Sequence, residues 1–213
     1  MSILPEELEN YLETFCDAED QILYDLSRET HLKTVHPRML SGNLQGKLLT
    51  MLCQMIKPVN ALEVGTFTGY SAICIARGLE KKAMLHTIEI NEELEPICKK
   101  YFERAGLNNK INFIVGDALQ IIPRMDMIFD IVYLDSEKST YPDLFVLLKD
   151  RISKGGYLIT DNVLWDGKTG HANGARDKMT QGIIRFNQLI REDKSFEKIV
   201  IPIRDGIMLA RKN

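Results

Sequence analysis

Short apolar runs alternate with helical stretches along most of this chain, and that alternation constrains the fold more than any other feature. The runs are Ala61–Val64, Met84–Ile88, Ile111–Val115, Phe129–Leu134 and Tyr157–Thr160. Helical patterns follow at Tyr70–Leu79, Asn91–Ala105, a short stretch to about Met125, Tyr141–Ile152 and Gly182–Glu192. Phe129–Leu134 is nearly all apolar, as a central parallel strand buried on both faces should be. Strands alternating with helices imply a parallel sheet with right-handed crossovers. Two last strands, Phe196–Ile203 and Ile207–Arg211, flank the turn Arg204-Asp205-Gly206 and read as a hairpin. The expected class is α/β: a mostly parallel seven-stranded sheet, an antiparallel C-terminal hairpin, and helices on both faces.

Before the first strand, residues 6–30 carry apolar side chains at helical spacing (Leu8, Leu12, Phe15, then Ile22, Leu23, Leu26) and read as helical, a lid or a dimer face. His31–Gly46 reads as a loop by its Pro and Gly residues, Lys47–Ile56 as a helix, and Trp165–Thr180 as a polar loop. The 213 residues fit one domain, 1–213, and a hydrophobic content of 45% supports a large core. The net charge of −3 argues against a broad nucleic-acid footprint. The acidic, polar start shows no secretory signal, and no apolar run reaches the ~20 residues of a membrane helix. The four cysteines, Cys16, Cys53, Cys74 and Cys98, are widely spaced, which fits reduced thiols. A cytoplasmic homodimer that does not contact membranes is the expected setting.

The stretch Val59–Ser71, VNALEVGTFTGYS, has the strand, glycine turn and helix of a nucleotide-binding unit. Its spacing is Gly-x-x-x-Gly rather than Gly-x-Gly-x-x-Gly, and Glu63 stands before the turn. A carboxylate there repels a pyrophosphate and suits an ammonium group. Each of the five expected parallel strands also ends at or just before a carboxylate: Glu63, Glu89, Asp117, Asp135 and Asp161. Any one of these is ordinarily a loop residue or a helix cap. Together they line the edge at which open α/β sheets bind ligands. Glu89 lies about where an acid meets a ribose diol. Asp117 is placed as an N-cap, with room for a contact to an adenine amino group. Asp135, Asp161 and Asn162 offer hard oxygen ligands of the kind Mg²⁺ takes, while Zn²⁺ would call for His or Cys. Lys138 reads either as a solvated lysine or as a base beside a cation.

These segments resemble the divalent-cation-dependent, S-adenosylmethionine-dependent O-methyltransferases, which include the catechol and caffeoyl-CoA enzymes. The resemblance runs from about Arg38 to Asn213 and rests on LEVGTFTGYSA, IEIN, GDAL, LDSEKSTY, TDNVLW and PIRDGIMLARK taken in order. It implies a Rossmann-like methyltransferase fold with S-adenosyl-L-methionine and Mg²⁺ (or Mn²⁺ or Ca²⁺) as cofactors. By the same resemblance Ser41, Glu63, Gly65 and Ser71 line the methionine end of the cofactor, with Asp135 bordering it. Glu89 takes the ribose, and Asp117 and Ala118 border the adenine. Asp135, Asp161 and Asn162 carry the metal, and Lys138, with Asp135, is catalytic as the proton acceptor. The family departs from this chain at Met208, where the animal catechol enzyme has a glutamate near its substrate.

The expected reaction is methylation of a hydroxyl on a small catechol-like or CoA-linked phenolic acceptor. The competing acceptor is 5-hydroxyuridine at the tRNA wobble position, kept open by the basic residues at 31–38 and by Lys168, His171, Arg176 and Lys178. An NAD(P) oxidoreductase is disfavoured by the glycine spacing. A non-enzymatic binding module leaves Lys138 and the Asp135, Asp161 and Asn162 set unexplained.

Overall fold

The computed structural model describes residues 5–170 and 177–213. The sheet has seven strands: β1 (Asn60–Val64), β2 (Met84–Glu89), β3 (Ile111–Val115), β4 (Phe129–Leu134), β5 (Ile152–Thr160), β6 (Phe196–Ile201) and β7 (Ile207–Lys212). Their spatial order is β3-β2-β1-β4-β5-β7-β6. The first five run parallel, and β7 pairs antiparallel with both β5 and β6. The order reverses between β1 and β4, the topological switch point at whose carboxyl edge such sheets bind ligands. Side chains alternate across the pleat. Ile131 and Tyr133 of β4 enter one core, and Val132 and Leu134 enter the other. A sheet covered on both faces explains the near-continuous apolar reading of β4.

The helices are α1 (Glu6–Thr14), α2 (Gln21–Lys33), α3 (Gly42–Ile56), α4 (Tyr70–Gly78), α5 (Glu95–Arg104), α6 (Ala118–Ile121), α7 (Tyr141–Leu148) and α8 (Lys178–Glu192). Several boundaries differ from the sequence reading. Residues 6–30 form two helices. Asp20 caps the second, accepting from the Ile22 and Leu23 amides at 3.0 and 3.4 Å, and also binds Arg77. Leu23 and Leu26 of α2 are buried in the core, whereas Tyr11 and Phe15 near α1 are exposed.

Part of the stretch expected as a loop, His31–Gly46, is helix, because α3 starts at Gly42. Glycine there is a packing device. A Cβ on Gly46 would lie 2.7 Å from Cys74 Sγ, and one on Gly78 would lie 2.5 Å from the Thr50 carbonyl oxygen. Bare glycines let α3 and α4 approach closely. Gly155-Gly156 likewise lies inside β5 rather than before it, where the register against β4 shifts between Phe129 and Ile131. Glycine within a strand commonly marks such an irregularity. The helix expected to reach Ile152 stops at Leu148, one short turn before β5. The segment Trp165–Thr180 is mostly irregular in its described part, although α8 begins at Lys178. Among the described residues no helix is long and apolar enough to cross a membrane.

Candidate active site

The glycine turn after β1 is locked against the end of β4. Gly65 has φ 101°, and a Cβ on it would come within 2.0 Å of the Asp135 carbonyl oxygen. The Asp135 amide donates to the Val64 carbonyl at 2.9 Å. On the other side Leu134 pairs with Thr160, so Asp135 and Asp161 leave adjacent parallel strands side by side. Strand register alone brings these two carboxylates together.

One hydroxyl measures their convergence. The Tyr133 hydroxyl is 3.4 Å from both Asp135 Oδ2 and Asp161 Oδ2. Gln45 Nε2 donates to that hydroxyl at 2.6 Å and to Asp161 Oδ2 at 2.8 Å. The Ser41 carbonyl accepts from Arg204. Asn162 takes a left-handed conformation, φ 60°, and its amide donates to Asp161 Oδ1 at 2.8 Å. That turn, favourable for asparagine, keeps Asn162 beside Asp161. Lys138 Nζ donates to Asp135 Oδ1 at 2.6 Å and stands over the Tyr141 ring. The short turn carrying Lys138 is pressed by α8, where a Cβ on Gly182 would meet the Lys138 carbonyl oxygen at 2.3 Å.

Burial and the Asp161 charge push Asp135 up, the Lys138 and Arg204 charges pull it back, and it settles at about 6. Burial pulls Lys138 down, but the Asp135 and Asp161 carboxylates outweigh it and raise its pKa. In the protein alone Lys138 is therefore an ammonium paired with Asp135.

The remaining carboxylates are spread along the same edge. Glu63 is fully buried. Thr87 donates to its Oε2, while Oε1 has no hydrogen-bond partner among the described residues. Burial lifts Glu63 to about 7 against the opposing pull of the Ser71 and Thr87 hydroxyls. Glu89 accepts from the Phe67 amide at 2.7 Å and the Asn91 amide at 3.0 Å. Burial raises its pKa, and these backbone bonds restrain the rise. Asp117 caps α6, accepting from the Leu119 amide at 2.9 Å, with Ala118 the first residue of that helix.

The structure thus gathers Ser41, Asp135, Lys138, Asp161 and Asn162 into one cluster. Glu63, Gly65 and Ser71 lie at the glycine turn, and Glu89 and Asp117 farther along the edge. Among the described residues no three His, Cys, Asp or Glu side chains form a metal cluster, so the expected metal set is two carboxylates and an amide. His171 and Arg176, of the basic segment, lie outside the described residues. Gln45, Tyr133 and Arg204 belong to the cluster too, and of these only Tyr133 had a signal: it sits two residues before Asp135, on the same side of the strand.

A family profile described as O-methyltransferase matches residues 13–213. The chain belongs to the O-methyltransferase family. It is similar to a catechol O-methyltransferase of Niastella koreensis, 28% identical, with 96% of each chain covered. A caffeoyl-CoA O-methyltransferase of Petroselinum crispum is 30% identical over 87% of this chain and 81% of its own. Among solved structures, the O-methyltransferase TomG of Streptomyces achromogenes, in complex with S-adenosylmethionine, superimposes with a TM-score of 0.90 at 27% identity. It covers 97% of this chain and 96% of its own. The Bacillus cereus O-methyltransferase in complex with S-adenosylhomocysteine gives 0.89 at 27% identity and 97% of both chains. This O-methyltransferase is an S-adenosylmethionine-dependent enzyme of the catechol and caffeoyl-CoA type.

Proposed function

We propose that this O-methyltransferase methylates one hydroxyl of a small catechol-like or CoA-linked phenolic acceptor, with a divalent cation at Asp135, Asp161 and Asn162. The observation that carries the reading is the convergence of Asp135 and Asp161 on the Tyr133 hydroxyl, 3.4 Å from each, with Lys138 2.6 Å from Asp135. The donor set fits Mg²⁺, or Mn²⁺ or Ca²⁺: oxygen only, few protein ligands, and positions left for water and acceptor. A cation held there would supply Lewis acidity to an acceptor hydroxyl, and its charge would oppose the protonation of Lys138 that Asp135 favours. Lys138, once its ammonium had released a proton to solvent, would accept the acceptor's proton at Nζ. The chain's remaining contribution is alignment of oxyanion and sulfonium methyl, with no covalent enzyme intermediate.

For the methyl donor, the unpartnered Oε1 of Glu63 is suited to the ammonium of the methionine end, beside Ser41, Gly65 and Ser71. Glu89 keeps a lone pair on each oxygen for the ribose diol, since each accepts one backbone amide. Asp117 and Ala118 border the adenine. Titration calorimetry with S-adenosylmethionine and with NAD tests the nucleotide half of the reading. Binding of the former and not the latter is expected, and preference for NAD would overturn it. A methyl-transfer panel of catechols, CoA esters and undermodified tRNA tests the acceptor. Transfer to tRNA alone would replace the phenolic reading with the RNA one.

Two expected results belong to this cofactor site. Glu89→Ala should weaken S-adenosylmethionine at least tenfold, because hydrogen bonds to a charged acceptor are each worth about 1.5–3 kcal/mol. Magnesium affinity should barely move, and unchanged cofactor affinity would place the ribose elsewhere. The second result follows from Glu63, whose carboxyl is raised to about 7 in the free protein. The proton on Glu63 stabilises the folded apo protein below that value, and this contribution falls as pH rises from the unfolded carboxylate range through 7. An ammonium ligand prefers the ionised form. S-adenosylmethionine affinity should therefore rise between pH 5.5 and 7, where an α-amino group, with its ordinary pKa of about 7.7–8.0, stays protonated. Calorimetry across that range would count against the Glu63 contact if affinity stayed flat.

A further inference from the structure

Gln45 is completely buried on the first turn of α3, more than a hundred residues before Asp161 in the chain. A primary amide has two protons to give and an oxygen to satisfy. Both protons are used within the site, one on the Tyr133 hydroxyl at 2.6 Å and one on Asp161 Oδ2 at 2.8 Å. The oxygen accepts from the Arg204 guanidinium at 3.1 Å. This fixes the sense of the amide, since a flipped group would set its oxygen against the Asp161 carboxylate and its NH₂ against the guanidinium. Tyr133, having accepted from Gln45, has one proton left to share between the two carboxylates.

We infer that Gln45 and Tyr133 are positioning residues, which aim the Asp161 and Asp135 carboxylates at the reacting centre. The inference rests on the proposed reading of that pair as cation ligands. Asp161 is then held at both oxygens, Oδ1 by the Asn162 amide and Oδ2 by Gln45. Asp135 is held at Oδ1 by Lys138, with Tyr133 beside Oδ2. Carboxylates fixed in this way need no reorganisation when a cation arrives. Groups that orient metal ligands from behind typically contribute 10–100-fold to metal affinity.

The test uses Gln45→Met, which keeps length and loses the amide, and Tyr133→Phe, which keeps the ring and loses the hydroxyl. Magnesium chloride is titrated into the whole protein by calorimetry, alongside S-adenosylmethionine affinity, melting temperature and the Mg²⁺ concentration giving half-maximal methyl transfer. Gln45→Met should lower Mg²⁺ affinity about tenfold or more, and Tyr133→Phe by less. The double variant should lose less than the sum, because both residues act through the same carboxylates. Excess Mg²⁺ should restore turnover, and S-adenosylmethionine affinity should hold. Wild-type Mg²⁺ affinity in both variants would overturn the inference while leaving the proposed function intact. So would losses that fall equally on Mg²⁺ and cofactor and track the melting temperature, since those mark a merely structural role. A wild-type protein that binds no Mg²⁺ would remove the underlying reading and this inference with it. If Gln45→Met does not fold, Tyr133→Phe carries the same comparison.

Discussion

Replacing Asp135 by alanine should abolish methyl transfer to a catechol acceptor, a loss of about a thousandfold or more. The proposed cation contributes several kcal/mol of transition-state stabilisation, and each ~1.4 kcal/mol is tenfold in rate. The substitution removes one of the two carboxylates of the proposed set and leaves Asp161 and Asn162 alone. Alanine also frees Lys138 from its 2.6 Å partner, but a neutral base without an acidified hydroxyl does little. Added Mg²⁺ should not rescue the variant at concentrations that saturate wild type. Because Asp135 is also proposed to border the methionine end, a modest loss of S-adenosylmethionine affinity is expected as well. A variant retaining a tenth of wild-type turnover would mean that Asp135 does not carry the ion.

The second large effect is expected at Lys138. Lys138→Ala should lower turnover by ~10²–10⁴-fold, the usual worth of a general base. Mg²⁺ affinity should not weaken, because the substitution removes a cation 2.6 Å from a proposed ligand oxygen. In the protein alone the pair is charged: burial opposes the ammonium, but the Asp135 and Asp161 carboxylates favour it more strongly. Proton acceptance thus depends on Asp135 being occupied otherwise, so in wild type the rate should rise with pH at saturating Mg²⁺. In the variant the limb should instead follow ionisation of the acceptor hydroxyl and move with the acceptor's own acidity. The deficit should also shrink for catechols whose hydroxyl is already acidic, since these need the base less. A deficit constant across acceptors of graded acidity, with the pH limb intact, would assign Lys138 a positional role.

Much of this architecture is legible in the residues, and the failures share a cause. β4 stands out because a strand covered on both faces has to be apolar throughout. Asp135 and Asp161 stand out because each directly follows such a strand. Asp117 was placed correctly as a cap because a carboxylate opening a helix has a local reason to be there. Glycine was the misleading signal. Gly46 and Gly155-Gly156 read as loop residues, yet one sits inside a helix and the pair inside a strand, because what they answer to is a neighbouring element. Arg204 reads as part of a turn, although its guanidinium reaches Ser41 and Gln45 from the other end of the chain. Gln45 likewise reads as a loop residue, its partners lying 88 and 116 residues away. Periodicity and local chemistry carry no information over that distance. The sequence leaves the charge of Lys138 open, because it depends on the Asp135 and Asp161 carboxylates, which converge on it only in the fold.

The central claim is that a divalent cation at the Asp135, Asp161 and Asn162 edge makes an acceptor hydroxyl reactive toward S-adenosylmethionine. Its most direct test is the initial rate of labelled methyl transfer from S-adenosylmethionine to catechol and to caffeoyl-CoA. The wild-type enzyme is assayed first in excess EDTA and then after Mg²⁺ or Mn²⁺ is added beyond the chelator. We expect no transfer above background with EDTA and full recovery on adding the metal. Undiminished transfer in excess EDTA would contradict the account.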